Sequence, residues 1–324
     1  MQILLDLGLV AIGVACLGFG ADLLVRGAVT IARAARLSAA VIGLTIVSMG
    51  TSLPELTVSI AAALKGSADL SLGNVVGSNI FNVGAVLGVS ALILPMRVHG
   101  SAVRLEWPFM FLASFQLLLL ARDGRLDRLE GGFFVVALAL FTAYAVMIGR
   151  VAVSGEEAAD LREEVSRREG RDGLRTMLGA LGLIAAGIGL LVLGGEALVR
   201  GAVGLARALG MTERIIGLTV VAAGTGTPEL ATSIVAARRG QSEIALGNVI
   251  GSNIFNILGI LGVTALVSPL AVSPALLGSD LWWMLGLSLA LFPMMRTGAV
   301  VGRREGGLLV AAYGTYLALT VLMQ

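Results

Sequence analysis

Two glutamates, Glu55 and Glu229, stand in apolar segments broken by proline, and the chain carries this kind of segment twice. Residues 43–56 read GLTIVSMGTSLPEL and residues 217–230 read GLTVVAAGTGTPEL. A carboxylate surrounded by hydrocarbon is costly unless it faces a partner or a wet cavity, so by default it marks an ion pathway. Pro54 and Pro228 lack an N–H, which releases the carbonyls of Gly50 and Gly224 four residues back. In a membrane those carbonyls must find other partners or line a cavity. Beside them stand Thr51, Ser52 and Glu55 in one copy, and Thr225, Thr227 and Glu229 in the other. Carboxylate, hydroxyl and carbonyl oxygens together suit a hard cation: calcium or, with fewer anionic ligands, sodium.

The segments that follow are doubled as well. Residues 72–82 (LGNVVGSNIFN) recur at 246–256 as LGNVIGSNIFN. Asn74, Ser78 and Asn82 are four apart and share one helix face, and Gly73 and Gly77 allow close approach of another backbone. Taken alone these small and polar residues read as helix packing; the glutamate beside each proline is what points to ion binding. Asp22/Arg26 and Glu196/Arg200, each four apart, read as intrahelical ion pairs. His99, the only histidine, and Cys16, the only cysteine, cannot make a zinc site. Ser52 and Ser78 have no histidine or lysine base in the apolar segments, so no hydrolase is indicated. No phosphate-binding Gly-x-x-x-x-Gly-Lys-Ser/Thr motif occurs. The reading is therefore of a protein that is not an enzyme, has no cofactor and makes no use of ATP.

These residues need helices that cross a bilayer. Of the 324 residues 57% are hydrophobic and 14% charged, against about a quarter charged in a soluble domain. At about 20 apolar residues per crossing, spans are expected near 3–32, 39–64, 70–95, 105–121 and 130–150, then 177–206, 213–237, 244–268, 279–295 and 306–323. Glu55 and Glu229 are 174 positions apart, and the same spacing relates Asp22 to Glu196, Asn82 to Asn256, Pro95 to Pro269 and Glu106 to Asp280. Five spans is an odd number, so the second copy must enter the membrane from the other side. The expected fold is an all-α polytopic membrane protein of ten transmembrane helices in two inverted five-helix repeats. These are 1–152, with its motif at 43–82, and 175–324, with its motif at 217–256. Between them, 153–174 carries seven acidic residues and four arginines and reads as a solvated loop.

If that loop is cytoplasmic, the loops on its side hold fifteen of the 23 Lys and Arg residues and the opposite side six, with Arg26 and Arg200 inside spans. The positive-inside rule then puts both termini outside a plasma or inner membrane. The long Gly- and Leu-rich first and sixth spans are candidates for a sliding element. Trp107, Trp282 and Trp283 start spans, where an interfacial ring fits. No basic run with interleaved aromatics suggests nucleic acid, and no partner protein is indicated beyond the bilayer itself.

The doubled motifs, 50–56 (GTSLPEL) with 73–82 (GNVVGSNIFN), resemble the two alpha repeats of the calcium/cation antiporter superfamily, prokaryotic sodium/calcium exchangers in particular. The resemblance spans both halves and implies the same ten-helix inverted fold. It implies that Glu55, Glu229, Thr51 and Thr225 bind Ca²⁺ centrally. It further implies that Ser48, Ser52 and Ser78 on one side, and Ala222, Gly226 and Ser252 on the other, flank that site and bind Na⁺, with Asn82 and Asn256 near the centre. The chain departs from the pattern at Gly226, where a serine is usual, and at Asn256, where some relatives carry aspartate. Gly226→Ser is expected to restore the hydroxyl. The implied activity is Ca²⁺/Na⁺ antiport by alternating access. A Ca²⁺/H⁺ exchanger and, in another class, a cation channel are the rival readings.

Overall fold

The computed structural model describes residues 2–152, 172–211 and 222–322. Its helices are α1 (Gln2–Ala35), α2 (Ala39–Thr51), α3 (Leu53–Leu64), α4 (Ala68–Ile93), α5 (Ala102–Asp123) and α6 (Arg128–Ala152). They continue as α7 (Asp172–Ala208), α8 (Ala222–Thr225), α9 (Thr227–Arg238), α10 (Ser242–Val267), α11 (Leu276–Arg296) and α12 (Arg303–Leu322). Two-residue strands β1 (Met96–Arg97), β2 (Arg125–Leu126), β3 (Leu270–Ala271) and β4 (Val300–Val301) complete the described residues. Among the described residues, seven helices are long and apolar enough to cross a bilayer, or eight if α2 and α3, bent by 47° at Ser52, form one broken span. Of the other expected spans, 213–237 begins in residues outside those described, and α12 opens on three charged residues. The expected linker at 153–174 also falls largely outside them.

Apolarity sorts the helices by depth. α1, α6 and α7 have mean hydropathies of 2.2, 2.2 and 2.3 and turn most of their surface outward, whereas α4 and α10, at 1.7 and 1.8, are the most enclosed. Asn, Ser and Gly dilute the hydropathy of α4 and α10 because those helices face protein rather than lipid. α1 and α7 pack along their lengths through glycines recurring every seven residues: Gly13, Gly20 and Gly27 against Gly187, Gly194 and Gly201. A Cβ at Gly20 would lie 2.8 Å from the Gly187 carbonyl oxygen, and one at Gly187 would lie 2.7 Å from that of Gly20. Two backbones touch there with no side chain between them, the arrangement that small residues permit in membranes. Cys16 is half-buried at this crossing beside Gly194.

The repeat is visible in the backbone. α3 and α9, α4 and α10, and β1 and β3 keep the same spacing end to end. Left-handed residues also recur: Arg36 with Gly210, Gly66 with Gly240, and Gly124 with Gly298. One residue is then inserted, Ala299, itself left-handed at φ 51°, so β4 and α12 sit one place further along than β2 and α6. The strands pair antiparallel across the halves: β1 with β4 (Met96 opposite Val301) and β2 with β3 (Leu126 opposite Leu270).

Candidate functional site

Ser52 breaks α2 from α3 with φ −88° and ψ 11°, and Gly226 breaks α8 from α9 with φ −87° and ψ 5°. Pro54 and Pro228 fall in the first turn of the helix that follows, where a missing N–H is tolerated. Glu55 and Glu229 therefore stand in the first turns of α3 and α9. Both are buried, at 1% and 0% exposure, and their carboxylates are within electrostatic reach of each other. In each, Oε2 is buried with no hydrogen-bond partner. Glu229 Oε1 accepts from Ser52 Oγ at 2.9 Å, a bond that joins the two halves at the breaks.

α4 and α10 hold these segments with matched amide bonds. Asn74 Nδ2 donates to the Glu55 carbonyl at 3.2 Å and to Ser59 Oγ at 2.9 Å; Asn248 Nδ2 donates to the Glu229 carbonyl at 3.4 Å and to Ser233 Oγ at 3.1 Å. Thr51 Oγ1 lies 3.2 Å from both Asn248 Oδ1 and the Ser48 carbonyl. A second layer pairs asparagines across the halves: Asn82 Nδ2 donates to Asn253 Oδ1 at 3.3 Å and Asn256 Nδ2 to Asn79 Oδ1 at 3.0 Å. Asn79 and Asn253 also reach the sulfurs of Met284 and Met110, mirrored positions on α11 and α5. The carbonyl oxygens Oδ1 of Asn82 and Asn256 are left buried and unpartnered. Each of these two asparagines lies at the start of a π-helical stretch, Asn82–Leu87 or Phe255–Leu261. Such wide turns re-aim side chains and occur often at functional sites.

The structure therefore buries Glu55, Glu229, Thr51 and Ser52 at the two helix breaks, and Asn82 and Asn256 in the asparagine layer. Four buried oxygens without partners, on Glu55, Glu229, Asn82 and Asn256, are the kind of donor set a desolvated cation satisfies. Ser48 is buried, with its hydroxyl donated to the Leu44 carbonyl at 2.7 Å. Ser78 and Ser252 are buried, and Ser252 Oγ has no partner. Thr225 is half-buried at the end of α8. Ala222 opens α8, and its side chain lies outside the described residues. Gly226 is tightly packed: a Cβ there would lie 2.5 Å from ring carbons of Phe81. The hydroxyl that Gly226→Ser was expected to restore has no room until that ring moves. Thr227 Oγ1 donates to the Gly224 carbonyl at 2.6 Å, the group that Pro228 releases, so it serves the backbone break.

Asparagines 79 and 253 were not among the expected site residues. They lie one position off the four-residue face of Asn74, Ser78 and Asn82, and only their recurrence in the doubled motif singles them out. The close approach expected at Gly73 and Gly77 is not made, since no described atom lies within 4 Å of a Cβ placed there; their counterparts Gly247 and Gly251 do approach α2, at Ala40 and Leu44. The expected ion pairs Asp22/Arg26 (2.8 Å) and Glu196/Arg200 are present, and Asp22 also takes Arg239 from the end of α9. Trp107 is half-buried, stacked on Phe111 and donating its indole N–H to the Ser288 carbonyl at 2.6 Å, so it ties α5 to α11. His99 pairs with Glu243 at 2.8 Å.

Both halves, residues 5–147 and 179–322, match the sodium/calcium exchanger protein family. The chain belongs to that family. Sodium/calcium exchanger MaX1 of Methanosarcina acetivorans is 33% identical over 337 residues, covering 94% of this chain and 95% of its own. Inner membrane protein YrbG of Escherichia coli is 35% identical over 318 residues, covering 98% and 97%. Among solved structures, the sodium-calcium exchanger NCX_Mj superposes with a TM-score of 0.83 at 30% identity, covering 98% of this chain and 99% of that one. This member of the exchanger family is a multi-pass membrane antiporter.

Proposed function

We propose that this exchanger moves Ca²⁺ against Na⁺ by alternating access, with Glu55 and Glu229 as the shared anionic ligands. The observation that carries the reading is the pair of buried carboxylates, each with one unpartnered oxygen, together with two buried asparagine oxygens in the same condition. Two negative charges balance one Ca²⁺ or two Na⁺, so the ions compete and each drives the other. Thr51 and Thr225 complete the Ca²⁺ site from the ends of α2 and α8. Ser48, Ser52 and Ser78 in one half, and Ala222, Gly226 and Ser252 in the other, line its flanks.

Ten spans in two inverted repeats accord with the strand pairing. β1 pairs with β4, and their repeat counterparts β3 and β2 pair with each other. One membrane-crossing helix, α5, separates β1 from β2. The two ribbons then lie on opposite faces, as an inverted repeat requires and a parallel one does not. The surplus of arginine in loops on the side of β1 and β4 favours that side as cytoplasmic, with both termini outside.

Calcium uptake into proteoliposomes, under sodium and proton gradients imposed one at a time, tests the activity. Uptake driven by outward sodium alone is expected. Uptake driven only by an outward proton gradient would make it a Ca²⁺/H⁺ exchanger, and flux without any counter-ion would make it a channel.

A further inference from the structure

Two mirrored triads of charge stand on opposite faces of the molecule, and only one of them ties helices together. Asp22, Arg26 and Arg239 correspond, at the spacing of 174, to Glu196, Arg200 and Lys65: one acid and two bases in each triad. In the first, Arg26 Nε lies 2.8 Å from Asp22 Oδ2, and Arg239 donates to Asp22 Oδ1 from Nε at 2.6 Å and from Nη2 as well. Arg239 thereby fastens the end of α9 to α1. In the second, Arg200 pairs with Glu196 within α7, but Lys65, at the end of α3, meets no carboxylate among the described residues. Arg239 stands four residues before Glu243, which pairs with His99 just after β1, so this triad lies on the face of β1 and β4. Lys65 is separated from β1 by the crossing helix α4 and lies on the other face.

Local backbone does not account for the difference. Lys65 (φ −86°, ψ 3°) and Arg239 (φ −84°, ψ 6°) end their helices in the same conformation, and a left-handed glycine follows each. What differs is how the helices pack: α9 lies along α1, whereas α3 does not lie along α7. Matched segments with matched ends can adopt either packing, and two inverted halves change state by exchanging their arrangements. The chemistry of the two bases is unequal. Arg239 presents a planar fork, whereas Lys65 offers a point charge on a flexible stem. A partly exposed ion pair biases an equilibrium by up to about fivefold. That is enough to favour one of two states close in energy and too little to lock either.

We propose that Asp22–Arg239 and Glu196–Lys65 are reciprocal latches, one on each face, of which only one closes at a time. The arginine latch is the stronger, so the arrangement with α9 on α1 is the resting one. This rests on the alternating-access reading above and names contacts that alternate.

Crosslinking tests it, in the full chain with Cys16→Ala, reconstituted in proteoliposomes and treated with a short bifunctional methanethiosulfonate. Asp22→Cys with Arg239→Cys is expected to crosslink readily and to stop calcium flux until reductant is added. Lys65→Cys with Glu196→Cys is expected to crosslink more slowly, because that latch closes only in the other state. Adding Asp22→Asn to this second pair should raise its rate by up to about fivefold. A second pair that transports calcium before treatment yet never crosslinks overturns the proposal, as does a rate that Asp22→Asn leaves unchanged. If the second pair does not fold, two single variants replace it. Lys65→Arg strengthens one latch and Asp22→Asn weakens the other, so both should shift half-saturating calcium in the same direction; opposite shifts, or none, overturn the proposal. The crosslinks report shape rather than ion, so alternation of the two pairs in a proton-driven exchanger supports it equally. Flux without a counter-ion overturns the exchange reading and the latches with it, whereas exchange without the second crosslink overturns the latches alone.

Discussion

Glu55→Gln and Glu229→Gln keep the shape of the side chain and remove one of the two charges that would balance a divalent ion. Leaving a buried charge uncompensated costs about 3 kcal/mol or more, so calcium flux should fall by roughly 100-fold or more. Thermal denaturation in detergent should stay near wild type, and near-normal flux in either variant refutes the assignment. The asparagine layer makes a stability prediction. Asn253→Ala strands the Asn82 amide and Asn79→Ala strands the Asn256 amide, each costing about 1–3 kcal/mol. The mirrored bonds imply similar losses of melting temperature for the two. A large loss for one and none for the other means the cross-half pairing is not shared. The glutamates were legible in the sequence because an ionisable group in an apolar background has few structural reasons to be there. Asn79 and Asn253 were not, because their partners lie in the opposite half. Gly226 could be seen as a missing hydroxyl, but the ring that fills the space comes from a residue 145 positions away.

The α1–α7 crossing carries the prediction that belongs to helices. Gly20→Val puts a branched side chain where the Gly187 carbonyl oxygen already lies 2.8 Å from the Cβ position. The two helices must separate or lock, and overpacking of this kind costs about 1–3 kcal/mol. If this crossing slides during transport, flux should fall several-fold more than calcium binding, measured as calcium-dependent thermal stabilisation. Equal losses in both would mean that the crossing only holds the fold. The sequence marked these helices as long and glycine-rich, and the seven-residue spacing was present in it. The spacing acquires meaning only once α7 is known to be the partner. The break at Pro54 was legible for the converse reason, since a proline's effect is local. The π-helical turns at Asn82–Leu87 and Phe255–Leu261 were not, because no residue type demands them.

The repeat is the property of the whole molecule that the sequence exposed most directly, because one constant spacing runs from α1 through α11. It failed only at the inserted Ala299, just beyond the last aligned landmarks. Orientation in the membrane is a different matter, since symmetry cannot say which face is which, and only the arginine bias distinguishes them. It can be tested with cysteines introduced singly after Cys16→Ala. Ser67, between α3 and α4, and Gly100, between β1 and α5, are both exposed. A membrane-crossing helix, α4, separates them, so they should lie on opposite faces. With the arginine-rich side inward, Ser67→Cys should react with an impermeant maleimide in intact cells, and Gly100→Cys only after permeabilisation. The reverse pattern would invert the protein and exchange its inward and outward mouths without touching the cation site. Reaction of both in intact cells would be more damaging. It would put β1 on the same face as the loop before α4, and the antiparallel ribbons β1–β4 and β2–β3 could then no longer mark opposite faces of an inverted repeat.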